Sequence, residues 1–363
     1  MKKITTILAI IFAITILIIE KNTVNKAVST DSKPTIKIGV MLPLSGEQSK
    51  LGIAAKGAAE IASKHIKSMS TKYNYEFIYE DNQFNAAKVP AILSKFMSID
   101  KIDALLDGGS AVGNISSPVA EKSKLIHLNI WASDANVAKG KYNFLNWTQP
   151  PKETKKMAEI IHNKGYKNVH MVITNHDGPI AVANALEQEL NKLNVLNTTK
   201  KINMGTRDMR LDIKKMEADN ADLYVLILFD PDLSIFIKQQ KEIGSTTNIT
   251  SIEAFSFLED MSIIEGAWYV DVAESSNPVM DEIKNHNNSN FSYGMGNMYD
   301  NIMILVNAFE NAETKENVVD ELAKTTHHQG IVGSLTQDEE GIFQSEAIIK
   351  KVINGQPVII DKI

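Results

Sequence analysis

A rhythm constrains this chain more than any single motif. Short runs rich in Val, Ile and Leu alternate with amphipathic stretches, and the whole alternation occurs twice. The first series places strands at 35–42, 73–81, 101–109 and 125–133, with helices at 53–68, 86–99 and 115–124 between them. After "WTQPPKE" (147–153) the pattern restarts. It gives helix 151–164, strand 168–174, helix 179–193, a short strand near 199–203 and helix 208–219, then strand 222–230, helix 231–243 and strand 248–255. Apolar strands separated by helices belong to parallel sheets covered on both faces. Two series predict an α/β chain of two doubly wound parallel-sheet lobes, with ligands at the carboxyl ends of the strands. "WTQPPKE" and "VDVAESSNP" (270–278) are the segments expected to cross between lobes, and helix 297–312 is expected to return to the first.

Composition narrows the function classes. The 363 residues are 44% hydrophobic and 23% charged, enough for two globular domains of ordinary size. Net charge is -6 without any basic block, which argues against a nucleic-acid partner. Two lysines precede an apolar run from Ile4 to Ile19, which is shorter than the ~20 residues a membrane span needs. This reads as a secretory signal over residues 1–27, with an uncleaved N-terminal anchor as the alternative. The chain has no cysteine, which excludes disulfides, a thiolate zinc site and a lipid-modified cysteine. The expected place is the periplasm or bacterial cell envelope. Metal and catalytic constellations are not expected: the histidines are scattered, and the Ser-x-x-Lys of "SIDK" (98–101) lacks companion motifs.

Two polar clusters, Gly108-Gly109-Ser110 and Ala132-Ser133-Asp134, each follow an apolar run. Taken alone, Ser110 and Ser133 read as caps or turn residues. Their surroundings add meaning. "IKIGVMLPLSGEQSKLGIAAKGAAEIA" (36–62), "YEDNQFNAAKVPAILSKFMSIDKIDALLDGGS" (79–110) and "SPVAEKSKLIHLNIWAS" (117–133) resemble, in order, segments of the leucine/isoleucine/valine-binding family of type I periplasmic binding proteins. "MYDNIMILVNAFENA" (298–312) and "GIVGSLTQDEEGIF" (330–343) resemble its C-terminal landmarks.

The resemblance implies two lobes joined by three hinge strands, residues 34–148 with 278–329 and residues 149–277 with 330–363. It implies an extracytoplasmic solute-binding protein that captures an amino acid or related polar solute and delivers it to an ABC importer permease. A sensory ligand-binding subunit is the alternative reading, and an enzyme is the less favoured one. No cofactor is expected, and the chain is expected to be a monomer. By position, Ser110 is implied to meet the ligand carboxylate, assisted by a helix N-terminus near Gly113. Ser133 and the carbonyl of Trp131 are implied to meet the ligand ammonium, with Glu253 pairing to it from the other lobe and Phe229 covering the ligand. Two departures stand out. Trp131 replaces a usually small residue, and "NHDGPIA" (175–181) lacks the usual aromatic and places Asp177 near the site. Asp177, Asp230 and Glu253 together suit a ligand with extra amine donors.

Overall fold

The computed structural model describes residues 33–273 and 277–360; the proposed signal segment, residues 1–27, lies outside the described residues. The first sheet starts from β1 (Thr35–Leu42), β2 (Asn74–Asp81), β3 (Ala104–Gly108), β4 (Ile126–Ile130) and β5 (Asn143–Asn146). Its helices are α1 (Ser49–Lys67), α2 (Val89–Lys95) and α3 (Ser110–Ser123). β3 and β4 are buried along their whole length, so their polar residues, Asp107, His127 and Asn129, must find partners inside.

The second lobe repeats the plan. α4 (Pro150–Asn163) leads into β6 (Asn168–Thr174), α5 (Asp177–Lys192), β7 (Leu196–Ile202), α6 (Arg210–Ala218), β8 (Leu223–Ile227), α7 (Asp232–Glu242) and β9 (Asn248–Thr250). Its sheet has the order β7-β6-β8-β9, all parallel. The first sheet contains the matching order β2-β1-β3-β4-β5. Each sheet therefore reverses its winding beside its first strand, and that is where doubly wound sheets bind ligands.

The remainder is β10 (Trp268–Val272), α8 (Pro278–Asn287), α9 (Met295–Asn311), α10 (Val318–Lys324), β11 (His327–Gly330), β12 (Gly333–Gln337), β13 (Ile342–Gln344), β14 (Ala347–Ile353) and β15 (Gln356–Ile359). β10, β14 and β15 form a small antiparallel sheet, tied to the second lobe by a bridge between Ile252 and Val270. α8 and α9 return to pack on α1, burying Met280, Ile283, Met298 and Ile302 in the first core.

One boundary differs from expectation. The sequence reading assigned everything after residue 330 to the second lobe, yet β11, β12 and β13 extend the first sheet, with β13 parallel to β5. Asp300 of α9 holds this return, accepting the amides of Ile331 at 2.9 Å and Val332 at 3.2 Å. The last crossing therefore falls at Ser345–Glu346. There Ser345 Oγ lies 2.9 Å from Thr148 Oγ1 of the first crossing, and Glu346 O accepts the amide of Ala273. The crossings at Thr148 and Ser345–Glu346 thus run side by side next to Ala273, while residues 274–276 of the remaining expected crossing lie outside the described residues. Among the described residues, no helix is long and apolar enough to cross a membrane.

Candidate functional site

The carboxyl ends of β3, β4, β6 and β8 converge on a cavity between the lobes, with an empty volume of about 580 Å³ that includes its open mouth. Ser110, Trp131, Ser133, Phe229 and Glu253, all singled out from the sequence, line it together.

On the first lobe, α3 begins at Ser110, ahead of the start near Gly113 that the sequence suggested, with Gly109 at a φ of 90° as the N-cap. No side chain among the described residues caps this helix, and Gly109 and Ser110 at its positive dipole end line the cavity. Ser110 is buried, and its Oγ accepts the Ser133 amide at 3.0 Å. The two clusters noticed in the sequence are therefore one hydrogen-bonded wall. Trp131 fits above it because glycine flanks the ring on both sides. A Cβ on Gly108 would lie 2.5 Å from the ring, and one on Gly294 would lie 1.7 Å from Nε1. Trp131 itself has a φ of 65°, and its indole N–H is buried without a partner among the described residues.

The second lobe supplies a carboxylate. Glu253 follows β9 with a φ of 58° and is only 7% exposed. Its Oε1 accepts Trp147 Nε1 at 3.0 Å, and its Oε2 accepts the Tyr293 hydroxyl at 2.6 Å. Burial pushes its pKa up from 4.5 to about 7; hydrogen bonds from Glu153, Tyr293 and Trp147 oppose the rise, and the Asp271 charge adds to it. The Tyr293 hydroxyl is driven well above its ordinary range by burial and by the Glu253 charge. Among the described residues, Glu253 is the one acid lining the cavity, and no lysine or arginine lines it.

Aromatic rings close the cavity. Phe84 from the first lobe stacks on His176 at 5.0 Å and meets Phe229 edge-on at 5.4 Å. Phe229 touches Phe257, which touches Tyr293, which in turn packs on Trp147. Burial holds the His176 pKa below its usual value, against the pull of Asp177, so the ring is neutral near pH 7. Leu51, Val182, Ile227 and Ile252 complete an otherwise apolar lining. The rim also joins the lobes: Gln48 Nε2 donates to Asp230 O at 2.9 Å, and Lys50 pairs with Glu259 at 3.2 Å.

Asp177 departs from the sequence reading. It is exposed as the first residue of α5, and its Oδ2 accepts Asn114 Nδ2 at 3.1 Å at the rim, while Gly178 and Pro179 line the cavity instead. An acid at a helix N-terminus is stabilised there by the dipole and by solvent, so it has no need to enter the pocket. Asp230 likewise lies outside the lining and takes the Ser234 hydroxyl. Sequence reasoning missed Phe84, His176, Phe257, Tyr293 and the buried Glu153. Phe84 and the preceding Gln83 both have φ near 55°, a backbone turn that no residue type there announces.

Comparisons with known proteins agree with this geometry. A family model described as periplasmic binding protein matches residues 35–355. A leucine binding protein from Thermotoga maritima superposes with a TM-score of 0.81 at 20% identity, covering 90% of this chain and 98% of that one. A branched-chain amino acid transporter substrate binding protein from Streptococcus pneumoniae, solved with isoleucine, gives 0.80 at 18%, covering 90% and 99%. A solute binding protein from Rhodopseudomonas palustris, solved with 3,4-dihydroxy benzoic acid, gives 0.79 at 15%, covering 91% and 97%. At these identities the likeness is one of fold. No curated protein matches the chain.

Proposed function

The chain belongs to the periplasmic binding protein family, and from that premise we propose that it captures an amino acid or closely related amine between its lobes and presents it to an ABC importer permease. It acts in the envelope as a binder without turnover, exported by its N-terminal segment. The observation that carries the ligand class is the polarity of the cavity. One wall offers an uncapped helix N-terminus with Ser110 and Ser133, which favours a carboxylate. The opposite wall offers Glu253, whose buried charge meets no lysine or arginine along the lining. A buried carboxylate without a counterion is unfavourable, and a ligand ammonium relieves it. Aromatic and aliphatic side chains between the two walls suit an apolar side chain on the ligand. The named neighbours bind isoleucine and an aromatic acid, and both ligand types carry a carboxylate with an apolar body.

Native mass spectrometry of protein purified without refolding identifies the bound solute. Calorimetry of wild type and Glu253→Gln, each with that solute and its desamino analogue, then tests the model. Removing one member of a buried charge pair costs about 2–5 kcal/mol, so the amine ligand is expected to bind at least about thirtyfold more weakly to the variant. The desamino analogue is expected to discriminate little between the two proteins. A coupling energy near zero across this cycle removes Glu253 from the ammonium site.

A further inference from the structure

Glu153 has no place in the binding scheme above, yet it is the most anomalous side chain near the cavity. It sits in the first turn of α4, four residues after the first crossing begins with Gln149, and is fully buried. Neither of its carboxyl oxygens receives a hydrogen bond from any donor among the described residues. Its hydrogen-bonding neighbour is another carboxyl, that of Glu253. Two ionised carboxylates cannot share a dry contact, so one must carry a proton. Glu253 already accepts from Trp147 and Tyr293, which stabilise its charged form. Glu153 accepts nothing, so the proton belongs on Glu153, and its O–H donates to Glu253. A carboxyl with no donors around it is satisfied only in this way.

We propose that Glu153 is a positioning residue that holds a proton at neutral pH, so that the Glu153–Glu253 pair presents a single negative charge to the cavity. This assigns the site to a ligand bearing one cationic group, and its consequence for binding rests on the reading of Glu253 as the ammonium partner. The surrounding charges agree. β10 contributes the buried Asp271, which is already neutralised by Lys350 of β14 at 2.7 Å and bonded by Ser256 at 2.7 Å. Tyr293 supplies an O–H, and the lysines of α4 turn outward: Lys152 pairs with Glu346 at 3.7 Å, and Lys156 bonds Ala347 O at 2.6 Å. Among the described residues, no lysine or arginine lies within ion-pair distance of Glu153 or Glu253. Burial and the Glu253 charge both raise the Glu153 pKa well above the ordinary carboxyl range.

The test is infrared spectroscopy of the purified protein, following the protonated-carboxyl C=O stretch of isotope-labelled glutamate against pH. Wild type is expected to keep one buried protonated glutamate at pH 8, and a second is expected to titrate near pH 7. Glu153→Gln, whose amide can donate to Glu253 in the same place, is expected to lose the first band. It should leave the midpoint of the second near its wild-type value, since one neutral donor replaces another. A wild-type spectrum without a protonated carboxyl at pH 8 overturns the proposal whether or not the variant folds. So does a band that survives Glu153→Gln. Failure of the ammonium reading looks different: Glu253→Gln then leaves amine binding intact while the wild-type band persists.

Discussion

The two lobes each bury an acid beside the cavity-forming strands, and they treat it in opposite ways. In the first lobe Asp107, at the end of β3, accepts His127 Nε2 at 2.8 Å and Asn129 Nδ2 at 2.6 Å, while His127 Nδ1 meets Asn143 at 2.8 Å. Both members of the pair are fully buried. Burial works against a charged imidazole, but the Asp107 charge and hydrogen bonds outweigh it and raise the His127 pKa. This acid carries its own counterion. In the second lobe Glu253 has two neutral donors and an acidic neighbour. The difference separates structure from the function proposed above: a charge compensated from within holds a sheet together, and the uncompensated one is the proposed partner of a ligand cation.

The contrast can be broken most forcefully at Asp107. Asp107→Ala strands a buried imidazole and is expected to cost about 3–5 kcal/mol of stability, read from urea unfolding, while the folded protein binds its solute unchanged. If affinity falls in step with stability, the two acids are not separate in role. Glu253→Gln should do the reverse. It weakens the ligand by the amount given above and leaves the empty protein as stable as wild type or more so, because a buried charge has been removed.

pH sharpens the same contrast. The folded state holds the protons of both Glu253 and Glu153 more tightly than the unfolded chain does. Stability of the empty protein is therefore expected to fall as pH rises above 4.5, by at most about 1.4 kcal/mol per unit for each group, with the Glu253 share ending at about 7. Cation affinity should rise over the same range, since binding needs the ionised form. Glu253→Gln should flatten the affinity slope and remove only its own share of the stability slope, leaving that of Glu153. His127 also binds its proton more tightly when folded; its contribution is complete below 6.5 and lost as pH rises through its raised value. A residual loss of stability above 6.5 that vanishes in His127→Gln is therefore expected, with no matching change in affinity. The smallest effect is expected at the first wall. Ser110→Ala removes the acceptor of the Ser133 amide, and because the cleft admits water the cost in binding should be roughly 1 kcal/mol by calorimetry.

Much of the architecture was legible because doubly wound lobes write themselves as alternation. β1, β3, β6 and β8 fall where the apolar runs are, and the family resemblance carried Ser110, Ser133 and Glu253 to one cavity. The return at 333–344 was not legible, since its short antiparallel strands are fixed by Asp300, far away in sequence. Glu153 was hidden for another reason. An acid in the first turn of a helix ordinarily answers the dipole at the surface, and nothing local reveals that this one is buried against a second carboxyl. Phe84 depends on two successive left-handed residues, a backbone choice invisible in composition.

The placement of the indoles has an optical consequence. The chain has three tryptophans. Trp131 lines the cavity and Trp147 donates to Glu253 from the first crossing, whereas Trp268 is buried in the second-lobe core. Two of the three emitters thus sit at the cavity and at Glu253, where ligand binding and Glu253 charge are expected to change their surroundings, and the third lies away in the second-lobe core. Intrinsic fluorescence therefore reads occupancy and protonation without a dye, with Trp268 as the internal reference that a Trp131→Phe, Trp147→Phe double variant isolates.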